Sequence, residues 1–169
     1  MLLYTDILTG DEMVSDAFPM TVIDDAIVEV DCAMVTVKPG ADVDIGANPS
    51  AEGGEDEALE EGAIQVNNVV HSFRLNASSF DKKSYMTYIR GYLKAIKAKL
   101  QETNPERIPI FEAGATKLVK KVVANIKDYD FYVGESMNPD GMVALLNFRE
   151  DGVTPYLIML KDGLKEVKL

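Results

Sequence analysis

The 169 residues are 47% hydrophobic and 27% charged, an ordinary globular composition on a chain long enough to bury one core, and one domain spanning 1–169 is expected. No run of roughly 18 apolar residues is present to span a bilayer as a helix. The single cysteine, Cys32, excludes an intrachain disulfide, and a net charge of −11 sets the chain as a whole against nucleic acid.

The charge is unevenly placed. No basic residue falls between Lys38 and Arg74, where Asp42, Asp44, Glu52, Glu55, Asp56, Glu57, Glu60 and Glu61 all stand. Residues 82–127 carry eleven basic against three acidic residues, a net +8. One face of an acidic protein is therefore expected to attract an anionic surface.

In chain order, the opening residues lack the basic and apolar regions of a secretory leader, so the cytoplasm is the expected compartment. Residues 2–7, 20–23, 26–30 and 33–37 are short runs rich in Val, Ile and Met, divided by Asp24-Asp25 and Asp31-Cys32, and read as strands. Residues 41–62 are glycine-rich and acidic, without an aromatic residue, and read as a long mobile loop. Residues 64–75 read as a strand returning to the sheet. A basic helical hairpin is expected over 78–127. Ser78 or Ser79 is its N-cap candidate, with Asp81 well placed near the helix start. Tyr85, Tyr88, Ile89, Tyr92, Ile96 and Leu100 recur at helical spacing. Asn104-Pro105 and Pro109 interrupt the pattern, and Phe111, Ala115, Leu118, Val119, Val122 and Ile126 form a second stripe. Residues 131–134, 142–149, 156–160 and 165–169 read as a β-meander joined by Asp-Gly turns. Strands on both sides of one helical pair indicate an α+β fold.

Little of this is catalytic. His71 is the only histidine; alternation puts it with Val69, Phe73 and Leu75 on one strand face, as a partly buried structural residue. A Cys32–His71 nucleophile pair is conceivable, but a cysteine among strand residues ordinarily behaves as a small hydrophobe. Asp42-x-Asp44-x-Gly46-x-Asn48 resembles a calcium loop yet has Ala47 where the loop glycine belongs and Gly53 where the bidentate glutamate belongs, so at most weak calcium binding is expected. No other cofactor is expected. Glu12, after the turn sequence Thr9-Gly10-Asp11, and Glu135, after an apolar strand, stand out as carboxylates beside turns. An acid/base pair and ordinary surface carboxylates are both open readings.

Specific segments resemble one family. The start Met1-Leu2-Leu3-Tyr4-Thr5-Asp6 with Asp11-Glu12-Met13, the run IGANPSAEGG at 45–54, the run FYVGESMNPDGMVALLNF at 131–148, and REDGVTPY at 149–156 resemble translationally controlled tumour proteins along essentially the whole chain. The resemblance implies a twisted β tent of antiparallel or mixed strands, a projecting antiparallel helical hairpin and a long mobile acidic loop. It further implies a non-enzymatic, cytoplasmic, cytoskeleton-associated protein linked to growth, translation elongation factors and the ribosome. Such a protein binds microtubules and calcium, with no membrane or nucleic-acid partner. The expected microtubule-binding residues are Lys82, Lys83, Arg90, Lys94, Lys97, Lys117, Lys120 and Lys121. The fold is similar to proteins that hold Rab GTPases nucleotide-free, which makes a guanine-nucleotide exchange factor or chaperone for a Ras- or Rab-like GTPase the alternative, with Glu12 and Glu135 on its face. The zinc cysteines of those Rab-binding proteins are absent here.

Overall fold

Strands of three to six residues cannot stand alone, so the architecture is set by how they pair. The computed structural model describes residues 2–37 and 64–168. The strands are β1 (Leu2–Asp6), β2 (Glu12–Ser15), β3 (Met20–Ile23), β4 (Ile27–Asp31), β5 (Met34–Val37), β6 (Ile64–Asn67), β7 (Asn76–Ser78), β8 (Asp130–Val133), β9 (Val143–Phe148), β10 (Pro155–Leu160) and β11 (Leu164–Lys168). The helices are α1 (Asn68–Ser72), α2 (Lys82–Thr103) and α3 (Ile108–Ala124). Among the described residues every pairing is antiparallel, in three sheets ordered β11-β1-β2, β3-β4-β10-β9-β8-β7 and β5-β6. The α+β expectation holds.

The core lies between the helical hairpin and the six-stranded sheet. β10 is buried at every position, which suits a strand at the centre of that sheet. Tyr85, Ile89, Tyr92 and Leu118 meet Met142, Leu145, Ile158 and Leu160 there. Tyr88 ties helix to sheet: its hydroxyl donates to Gly141 O at 2.7 Å and accepts from Val143 N at 3.0 Å. None of the helices described is long and apolar enough to cross a membrane.

Several local expectations are corrected. Residues 64–75 are not one strand: the Asn67 side chain accepts from Val69 N and Val70 N at 2.9 and 3.1 Å and caps α1, and Arg74 turns the chain back at φ 55°. His71 is consequently exposed on α1, not half-buried in a sheet. β2 had no periodic signal in its four residues, three of them buried. Asp81, rather than Ser78 or Ser79, caps α2 through a reciprocal box with Ser84. The expected meander stops after three strands, because β11 leaves to pair with β1 from Leu2↔Lys168 to Asp6↔Leu164. Of the three Asp-Gly turns, only Gly152 takes positive φ, at 72°. The segment 41–62, with the Asp42–Asn48 calcium reading, lies outside the described residues.

Candidate functional site

Helix α2 begins where Asp81 Oδ1 accepts from Ser84 N at 2.7 Å and Ser84 Oγ accepts from Asp81 N at 2.9 Å. These bonds hold the exposed Asp81 carboxyl below its ordinary pKa, the Ser84 backbone N–H having the largest effect. Tyr85, Ile89, Tyr92, Ile96 and Leu100 are the buried residues, as the spacing predicts. Lys83, Arg90, Lys94 and Lys97 follow one another at steps of seven, four and three residues, the spacing that aligns side chains along one exposed stripe. On α3, Lys117, Lys120 and Lys121 are exposed, away from the buried Phe111, Ala115, Leu118 and Val122.

The antiparallel connection brings Lys82 and Lys83, at the start of α2, to the same end of the hairpin as Lys120 and Lys121. Two of the expected cations are partnered: Lys97 Nζ lies 3.8 Å from Glu112, and Lys117 Nζ 3.1 Å from Asp24 on the β3–β4 turn. Lys82, Lys83, Arg90, Lys94, Lys120 and Lys121 make no ion pair with the described residues. Inside its Asp81 cap, which complements the dipole, α2 places charge against it. Its first turn holds Lys82 and Lys83 and no acid, and its last turn holds Glu102 and no base.

Glu12 and Glu135 are both exposed, and the structure links their neighbours. Ser136 Oγ donates to Asp11 Oδ2 at 2.6 Å, and Ser136 N donates to the same oxygen at 3.3 Å. This joins the segment entering β2 to the segment leaving β8. Glu135 also meets Arg74 at 3.2 Å in a pair exposed at both ends. The association of Asp11 with Ser136, and of Arg74 with Glu135, carried no sequence signal, since it depends on contacts between distant segments. Glu12, Arg74 and Glu135 thus stand as exposed charges beside the Asp11–Ser136 bonds.

The Cys32–His71 pair finds no support among the described residues, where Cys32 is buried and His71 exposed. Cys32 is buried, its thiol pKa pushed up by that burial, and its Sγ donates to Val30 O at 3.4 Å. Among the described residues no group of three or more His, Cys, Asp or Glu side chains is placed to hold a metal ion.

Comparison with known proteins agrees along the whole length. The family model described as translationally controlled tumour protein matches residues 1–165. The translationally controlled tumour protein homolog of Schizosaccharomyces pombe is 65% identical over 168 residues, covering 99% of each chain. That of Saccharomyces cerevisiae is 59% identical over 169 residues, covering 100% of each. The solved structure of the S. pombe tumour-associated protein superposes with a TM-score of 0.83 at 64% identity, covering 100% of both chains. The Caenorhabditis elegans solution structure gives 0.73 at 30% identity, covering 100% of this chain and 99% of that one. The chain belongs to the translationally controlled tumour protein family.

Proposed function

We propose that the chain is a non-enzymatic binding protein, linked to growth and protein synthesis, whose basic helical hairpin docks on the acidic surface of microtubules. The observation that carries this reading is the pair of cations in the first turn of α2, just inside the Asp81 cap. A cation in the first turn of a helix opposes the dipole by about 0.3–1 kcal/mol, and two adjacent ones stand there with no acid in the turn. Folding does not ask for them; departures from local rules concentrate at functional sites. They continue into the stripe of Lys83, Arg90, Lys94 and Lys97, presenting cations to a negatively charged lattice. Attraction of this kind is screened over roughly 8 Å at physiological salt, so binding is salt-dependent. Co-sedimentation with microtubules tests it. The variant Lys83→Gln/Arg90→Gln/Lys94→Gln lowers the bound fraction several-fold at low salt, and equal pelleting of variant and wild type overturns the reading.

A second reading, a Ras- or Rab-like GTPase contacting Glu12 and Glu135, is supported by the Asp11–Ser136 bond, which ties together the chain neighbours of these two exposed carboxylates. Exchange would then come from binding the nucleotide-free state more tightly than the loaded one. Glu12→Ala abolishes exchange while leaving thermal stability within about 0.5 kcal/mol of wild type. Unfolding of Glu12→Ala would make the carboxylate structural and remove it from this role.

A further inference from the structure

On the flank of the molecule away from the Lys83–Lys97 stripe, a groove of about 900 Å³ runs between the end of α2, the β11–β1 pair and strand β3. Tyr4, Ile7, Val28, Leu100 and Leu164 give it an apolar lining. β3 is an edge strand, with β4 as its one partner among the described residues. Its register fixes which way its backbone groups point. Asp31 N donates to Pro19 O at 2.9 Å, so Pro19↔Asp31 is a hydrogen-bonded pair. In an antiparallel ladder such pairs alternate with pairs that exchange no bonds. Met20↔Val30 and Val22↔Val28 are therefore the non-bonded pairs, and the N–H and C=O of Met20 and Val22 point away from β4. Both residues line the groove, and Val22 is 50% exposed. An unprotected edge beside an apolar trough is a template for a further strand.

The charges on the rim indicate what that strand carries. Arg107, Lys161 and Asp162 line the groove, but their charges are engaged among themselves and with Asp25. Lys99 and Lys165 remain, both exposed and without an ion pair among the described residues, against the one carboxylate of Glu166. Lys99 sits two residues beyond the stripe's last cation, Lys97, and so on another side of α2. We infer that this groove binds an extended segment of another protein, in which apolar residues alternate with carboxylates, added as a strand along the free edge of β3. Main-chain bonds to Met20 and Val22 supply register, alternate apolar side chains fill the trough, and the carboxylates reach Lys99 and Lys165. A second copy of this chain fits less well, since its net charge of −11 opposes self-association.

The test uses the full chain, isotopically labelled, and a synthetic peptide of alternating valine and glutamate. Expected are slowed amide exchange at Met20 and Val22 on peptide addition, and at least tenfold weaker binding by a peptide N-methylated at alternate residues, which cannot pair as a strand. Val22→Pro removes an N–H that makes no bond to β4, so it keeps the ladder and loses the peptide. Lys99→Glu/Lys165→Glu loses it by charge, keeping the edge intact, and serves if Val22→Pro fails to fold. No protection at Met20 and Val22 at millimolar peptide overturns the inference. So does equal binding of the N-methylated peptide, or protection that depends on protein concentration without peptide, which would assign the edge to a second copy.

Discussion

Arg107 and Asp162 face each other through two parallel hydrogen bonds, Nε to Oδ1 at 2.8 Å and Nη2 to Oδ2 at 2.9 Å. The pair joins the tip of the helical hairpin to the turn that leads into β11, and its side chains are only 16% and 5% exposed. Arg107→Ala leaves the Asp162 carboxylate almost buried without a partner and is expected to cost about 3 kcal/mol of unfolding free energy. Arg107→Lys recovers only part of that, because an ammonium cannot reproduce the planar fork. Urea denaturation of the two variants checks this; a loss below about 1 kcal/mol for Arg107→Ala would mean that water replaces the fork.

The start of α2 predicts a stability change opposite in sign to the change in binding. Lys82→Gln/Lys83→Gln removes two cations from the positive end of the helix dipole, and with them the attraction of Lys83 for the capping Asp81, and is expected to raise stability by a net of about 0.3–1 kcal/mol. The same variant is expected to pellet less with microtubules. A thermal melt and a co-sedimentation assay on one preparation measure both, and a drop in stability would contradict the dipole argument.

Gly114 of α3 packs directly against Ala26, and a Cβ at position 114 would overlap the Ala26 methyl group. Gly114→Ala improves helix propensity by roughly 1 kcal/mol, yet the overlap is expected to outweigh it with a cost of about 1–3 kcal/mol. Adding Ala26→Gly opens the space and should restore most of the loss. Non-additivity in the double-mutant cycle is the signature to look for.

All seven tyrosines have hydroxyl pKa values above the ordinary 10.0, and burial is the largest cause for each. Tyr92 is the extreme case, its buried hydroxyl without a partner among the described residues. Because the folded pKa lies above the unfolded one, this stabilisation is complete below pH 10 and is lost as pH rises beyond it. Tyrosinate absorbance from the buried Tyr85, Tyr88 and Tyr92 should appear only beyond pH 10, together with loss of far-ultraviolet dichroism. A gradual rise in a folded protein would show that some of these hydroxyls are open to solvent.

The helical hairpin was legible because each of its two buried stripes repeats over several turns, and Tyr85, Ile89, Tyr92, Ile96 and Leu100 are buried as the spacing requires. Helix α1 was not, since Asn-Val-Val-His-Ser is β-like in composition and the cap on Asn67 decides the matter. Four-residue β2 offers too little pattern to detect. Its neighbour Asp11 reaches Ser136 across most of the chain, so the linkage near Glu12 and Glu135 is a product of topology. Periodicity reports on neighbours along one element and is silent about which element lies alongside. The edge of β3, unpartnered among the described residues, was hidden for the same reason: an edge is defined by the absence of a partner.

The pairing of β1 with β11 imposes an order of assembly. β1 can meet β2 as soon as both have been synthesised, whereas its other neighbour is made only after nearly the whole chain. Until then one side of β1 is an open edge, with the entropy of a very long loop still to be overcome. The groove beside β3 likewise lacks its Leu164–Lys165 wall until that moment. Strand β10, which joins the two halves of the larger sheet, ends only three residues before β11 begins, so that sheet and this docking surface are completed together, after the helical hairpin has been made. Competence to bind there would arrive in a single late step, and unfinished chains would be kept from engaging its partner.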